Sequence, residues 1–185
     1  MINKILFLIL FFVSHCAIAE DAYRVEPGDT IKITVFGEDD LSKQLMLENS
    51  GEVTYPFLGV LPIKGLTVFQ IEQLIFNGLK GDYLIYPHVS VEVVKYRPFY
   101  IKGDVQIEGS YSYKPGLNVG QAMVIAGGSI TAIEQNEFYI LSNNGGNNTF
   151  EPVNFSSRLN AGDIVIIENK STLQSSSSNS TISDD

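Results

Sequence analysis

The chain has 185 residues, 44% of them apolar and 18% charged, with a formal net charge of −9 at pH 7. That length and apolar content suffice for one or two small cores, and the acidic balance, with no basic cluster, argues against nucleic acid as a partner. One cysteine, Cys16, and two histidines, His15 and His88, are too few for a Cys/His zinc site or a disulfide framework, so no cofactor is expected.

In chain order, Lys4 precedes an apolar run from Ile5 to Val13, and the small-residue site Ala17-Ile18-Ala19 follows. This is the pattern of a secretory signal peptide over residues 1–19, cleaved after Ala19. The run is too short to cross a bilayer as a permanent helix, which needs roughly 20 apolar residues. A competing reading makes Cys16 a lipidated first residue. The bulky His15 before it weighs against that reading without closing it. Cleavage after Ala19 removes Cys16 and His15 and leaves His88 as the sole histidine. No Gly-x-Ser-x-Gly elbow is present to supply a hydrolase nucleophile, so no enzyme is expected. Carboxylate-only chemistry survives the count, with Asp29, Glu38, Asp39 and Asp40 as the nearest cluster, which reads more simply as loop caps.

Pro27-Gly28-Asp29 forms an entry turn to a strand in which Ile31, Ile33 and Val35 alternate with Lys32, Thr34 and Phe36, the period of a half-buried strand. Thr67 and Gln70 make a Thr-x-x-Gln capping box. The helix it opens places Ile71, Leu74, Ile75 and Leu79 on one face and stops near Gly81. Val89, Val91 and Val93 mark a further strand launched by Pro87. A second, shorter helix is capped by Asn118, turns Val119, Ala122, Met123 and Ala126 inward, and ends at Gly127-Gly128. Phe138–Leu141 and Phe150–Val153 form a hairpin across the Asn/Gly-rich stretch 143–148, with a loop longer than a two-residue turn.

Two stretches echo one another, Gly65-Leu66-Thr67-Val68-Phe69-Gln70 and Gly116-Leu117-Asn118-Val119-Gly120-Gln121. A third echo links Pro27-Gly28-Asp29-Thr30-Ile31 with Ala161-Gly162-Asp163-Ile164-Val165. The reading is α+β: two small β-rich domains, each with one main helix, over 22–95 and 96–168, meeting where Arg97-Pro98 restarts the chain. Residues 169–185, with the run Ser175–Ser178, carry too little apolar surface to offset chain entropy and read as a disordered tail.

The string from Tyr23 to Asp29, then Ile31 to Glu38 with Gly37, Gly51, Pro56, Leu58-Gly59 and the Gly65-Leu66-Thr67 helix start resembles the opening domain of the polysaccharide biosynthesis/export (Wza-like) family. Arg97-Pro98 through Gly103, then Gly109, Gly116, Ala126-Gly127-Gly128 and Leu159 to Val165 resemble the soluble-ligand-binding β-grasp (SLBB) module that follows in that family. The resemblance makes Pro27, Gly28, Asp29, Gly37, Arg97, Pro98, Gly103, Gly127, Gly128, Gly162 and Asp163 motif residues with structural or interface roles. It makes Tyr100, Tyr111 and Tyr113 candidates to contact a glycan, although aromatic residues on short strands commonly pack in cores. It implies a non-enzymatic periplasmic component of a capsule or exopolysaccharide export machine, secreted and associated with the outer membrane. Its partners would be a polysaccharide chain, further copies of itself, an inner-membrane copolymerase and a separate outer-membrane β-barrel. The alternative is a free glycan-binding or ligand-sensing periplasmic module.

Overall fold

A computed structural model describes residues 22–144 and 147–170. The segment expected to be a signal peptide, with Cys16, and the serine-rich segment from 171 onward lie outside the described residues.

Strand β1 (Thr30–Val35) sits between β2 (Lys43–Met46) and β5 (Val89–Lys95), both antiparallel to it. Its alternation does what the sequence predicts: Ile31, Ile33 and Val35 are buried. A separate hairpin, β3 (Glu52–Tyr55) and β4 (Gly59–Pro62), supplies Val53, Tyr55 and Leu61 to the same core. Helix α1 (Val68–Leu79) opens with both arms of the capping box: Thr67 accepts from the Gln70 N–H at 3.2 Å, and the Gln70 side chain accepts from the Thr67 N–H at 2.9 Å. It buries Ile71, Ile75 and Leu79 completely, with Leu74 at the margin. Each fully buried side chain contributes about 1.5–3 kcal/mol.

The rest forms one five-stranded sheet. Strands β6 (Phe99–Gly103) and β7 (Gly109–Tyr111) pair as a hairpin, helix α2 (Val119–Ile125) crosses over, and β8 (Asn136–Asn144) with β9 (Asn147–Val153) makes a second hairpin. Strand β10 (Ile164–Asn169) then inserts between β6 and β8, parallel to β6, giving the order β7-β6-β10-β8-β9. A central parallel pair flanked by two hairpins under one helix is the β-grasp arrangement. The molecule is thus α+β, with two hydrophobic clusters that share no residue.

Two local features differ from the sequence reading. The β8–β9 pairing runs on to Asn144↔Asn147, so only two residues separate the strands; the register set by Phe138↔Val153 carries the ladder through the asparagines. Strand β10 includes Asn169, held opposite Asn136. Helix α2 carries a second complete capping box, in which the Gln121 side chain reciprocates the Asn118 cap.

Candidate functional site

Three residues, Tyr96, Arg97 and Pro98, join β5 to β6, and most of the motif residues converge on them. Asp29 is fully buried. Its Oδ1 accepts the Arg97 backbone N–H at 2.8 Å, while Oδ2 accepts the Tyr23 hydroxyl at 2.6 Å, the Glu26 N–H at 2.9 Å and Arg97 Nη1 at 3.2 Å. Arg97 Nη1 also donates to the Tyr23 hydroxyl at 2.8 Å. Burial, then the hydrogen bond to Asp29, pushes the Tyr23 hydroxyl well above the usual tyrosine range.

The far side of Arg97 meets the second unit. A Cβ on Gly162 would lie 2.6 Å from Arg97 Nε, and the Gly162 N–H donates to the Pro98 carbonyl at 3.1 Å. Gly162 has φ +87°, a conformation other residues adopt only with strain, so both backbone and packing require glycine here. Gly28 plays the matching part in the first unit, where a Cβ would come 3.2 Å from Arg97 Cβ. The next residues match as well. Asp163 is buried and accepts the Asn160 N–H at 2.7 Å, three residues back, as Asp29 accepts from Glu26. Its other oxygen accepts the Ser142 hydroxyl at 2.5 Å. Burial raises the Asp163 carboxyl above its ordinary value, with Ser142, Asn160 and Arg97 pulling it back down.

The junction is therefore one guanidinium held between two copies of a Gly-Asp turn. Tyr96 extends it: its ring lies edge-on to Tyr23 at 4.9 Å and to Tyr113 at 5.6 Å. With four donors on a buried carboxylate, the hydrogen-bonding capacity of Asp29 is taken up within the chain. Among the described residues no group of three or more His, Cys, Asp or Glu could hold a metal.

The remaining motif residues lie elsewhere. Gly37 follows β1, and Gly127 and Gly128 end α2 with N–H donations to Val124 and Met123 carbonyls. Gly103 ends β6, where a Cβ would come 2.0 Å from the Ile167 carbonyl oxygen. The three tyrosines are not brought together. Tyr111 stacks on Phe99 and donates to the Ile107 carbonyl, Tyr113 packs against the second core and Tyr96, and Tyr100 is 44% exposed on the opposite face of the sheet. Glu38, Asp39 and Asp40 lie exposed around a short 3-10 turn, and His88 is exposed, its carbonyl accepting from the Phe36 N–H.

A second polar centre had no signal in the motifs. Asp104 Oδ2 accepts from the Ser129 hydroxyl at 2.8 Å, the Thr131 N–H at 3.2 Å and the Thr131 hydroxyl, and Asn136 and Asn169 complete the network. Burial tends to raise the Asp104 carboxyl, but these donors together hold it below its ordinary value.

Residues 17–94 match the family model described as polysaccharide biosynthesis/export protein. This match supports the polysaccharide biosynthesis/export family for the first unit of the chain. The matched range contains β1 through all but the last residue of β5 and stops just short of the Tyr96-Arg97-Pro98 linker. The matched unit therefore contributes Tyr23, Gly28 and Asp29 to the junction. The chain is also 40% identical, over 109 residues, to the "Exopolysaccharide production protein ExoF" of Rhizobium meliloti (strain 1021). That alignment covers 57% of this chain and 25% of the relative, so the chain spans about a quarter of the length of the curated relative it matches. No described helix is long and apolar enough to cross a membrane.

Proposed function

We propose that the protein is a non-enzymatic periplasmic component of a capsule or exopolysaccharide export machine, acting by assembly into a ring or adaptor. The observation that carries this reading is the export-family match across the first unit, seconded by similarity to a relative named for exopolysaccharide production. Two features of the chain support an assembling role. The junction fixes the two units against each other around Arg97, which suits a part that must present both in constant register. Large apolar side chains also stand in solvent, among them Phe57, Ile85 and Tyr86 on the export unit and Val124 and Ile130 on the second, as surfaces awaiting partners do.

In this reading the partners are the polysaccharide itself, further copies of the chain, an inner-membrane copolymerase and a separate outer-membrane β-barrel. Of the three candidate tyrosines, Tyr100 is the most exposed, on the second sheet, which supports giving it the glycan contact. It also favours the second reading, a free glycan-binding module. Native mass measurement of the mature protein separates the two: a closed oligomer is expected, and a stable monomer with oligosaccharide affinity overturns the ring. A conducting pore formed in liposomes by the protein alone overturns the dependence on a separate barrel.

A further inference from the structure

The second sheet has one face under α2 and an opposite face whose side chains, among the described residues, join no buried cluster. Phe99, Ile101, Ile140, Val165 and Ile167 fill the covered side. Strand register places Tyr100, Ile164, Leu141 and Phe150 in one row across the other side, with Ile166 and Tyr139 in the next. None of these six belongs to the buried core, and Phe150 is 58% exposed. Resting on the export reading above, we propose that this face binds an oligosaccharide segment of the exported polymer, with Tyr139 at the centre of the contact.

Size argues against a protein occupant. Three strand spacings by two residues make a platform of about 14 by 7 Å. A stable protein interface engages roughly 20–30 residues a side, against the six in these two rows. A few sugar rings laid across the strands match the platform. Chemistry points the same way. The Tyr139 and Phe150 rings are stacked, 10° apart with centroids at 5.0 Å, and Phe150, the more exposed of the two, leaves aromatic surface in solvent of the kind that the C–H face of a pyranose covers. Polar groups of both kinds stand at the rings' edge. The Tyr139 hydroxyl donates to Glu137 Oε2 at 2.8 Å, fixing that carboxylate beside the ring. An open cavity of about 400 Å³ adjoins it, lined among others by Glu137, Tyr139, Pro152, Asn154 and Lys170, within the size range of small-ligand sites. The carboxylate, amide and ammonium each already have a partner in the chain, the Tyr139 hydroxyl for Glu137, the Ser156 N–H for Asn154 and the Glu134 carbonyl for Lys170, and sugar hydroxyls can add bonds to the capacity that remains. An apolar peptide or acyl chain would cover these groups without adding a hydrogen bond to any of them.

The test is a titration of the ¹⁵N-labelled mature protein with oligosaccharides released by partial hydrolysis of the producing strain's own exported polymer. Saturating amide shifts are expected on Glu137–Leu141 and Phe150–Asn154. Tyr139→Ala should weaken binding about tenfold through loss of ring contact, while Tyr139→Phe, which keeps the ring, should retain most of it. The spectrum reports folding of each variant, and should Tyr139→Ala not fold, Phe150→Thr at an exposed strand position carries the same expectation. Shifts elsewhere, or none, overturn the proposal. So do concentration-dependent shifts at these amides without sugar, which would mark the face as a contact between copies. If export is lost on gene deletion while oligosaccharide leaves this face untouched, this inference falls and the export reading stands.

Discussion

Replacing Arg97 with alanine removes the cation from between the two Gly-Asp turns. The Arg97 side chain is 16% exposed and Asp29 0%, so the deletion leaves a buried carboxylate without its counter-charge, a change that typically costs about 3–5 kcal/mol. Asp29 keeps the Tyr23 hydroxyl and the N–H groups of Glu26 and residue 97. Those donors keep its oxygens bonded and place the expectation at the lower end, about 3 kcal/mol. Against a total stability of about 5–15 kcal/mol that is a large fraction. Urea unfolding of the protein reads it directly: at a slope of about 2 kcal/mol/M, the midpoint falls by roughly 1.5 M. Lys32→Ala is the control, since the Lys32–Glu92 pair at 3.5 Å lies in solvent on both sides and should be worth under ~1 kcal/mol. An Arg97→Ala midpoint no lower than that of Lys32→Ala would refute the account of the junction.

Gly162→Ala and Gly116→Ala share a φ of +87°, but only Gly162 has a neighbour in the way. Both should lose about 1–2 kcal/mol of stability to backbone strain, and Gly162→Ala measurably more; equal losses in thermal unfolding would mean that Arg97 does not press on that turn. Thr67→Ala and Asn118→Ala each remove one half of a capping box and should cost about 1 kcal/mol apiece in the same assay. The network carboxylates Asp104 and Asp163 titrate in opposite senses. Asp104 is held below its ordinary value near 3.8, so its contribution is present above that pH and lost as pH falls through the lowered value. Asp163 is raised, so its contribution is present below 3.8 and lost as pH rises through the raised value. Stability measured against pH should thus flatten on the acid side in Asp104→Asn, and lose a component that declines above pH 3.8 in Asp163→Asn; unchanged profiles contradict the assignments.

Local signals carried much of the fold because they act within a few residues. The Thr67–Gln70 box, the Asn118 cap and the alternation of Ile31, Ile33 and Val35 all operate over one turn or one strand. The likeness of Pro27-Gly28-Asp29 to Ala161-Gly162-Asp163 is visible in the residues, and both aspartates do bind an N–H three positions back. What the residues do not display is that both turns close on Arg97, 68 positions after Asp29; only the tertiary fold brings them together. Tyr96 reads as a boundary because a strand ends there, whereas its ring bridges Tyr23 and Tyr113. The β8–β9 loop looks long because asparagine favours turns, yet pairing anchored at Phe138 continues through Asn143 and Asn144. Strands β8 and β10 are apolar on both faces, so alternation cannot tell which side α2 covers, and the platform of Tyr139 and Phe150 emerges only from the register.

The central claim is a role in polysaccharide export, and it is tested most directly by measuring polymer released to the cell surface and medium from a strain with this gene deleted and its partner genes intact. The account predicts loss of exported polymer, restored by the wild-type gene in trans. Normal export from the deletion strain, with no paralogous copy in the genome, would contradict it.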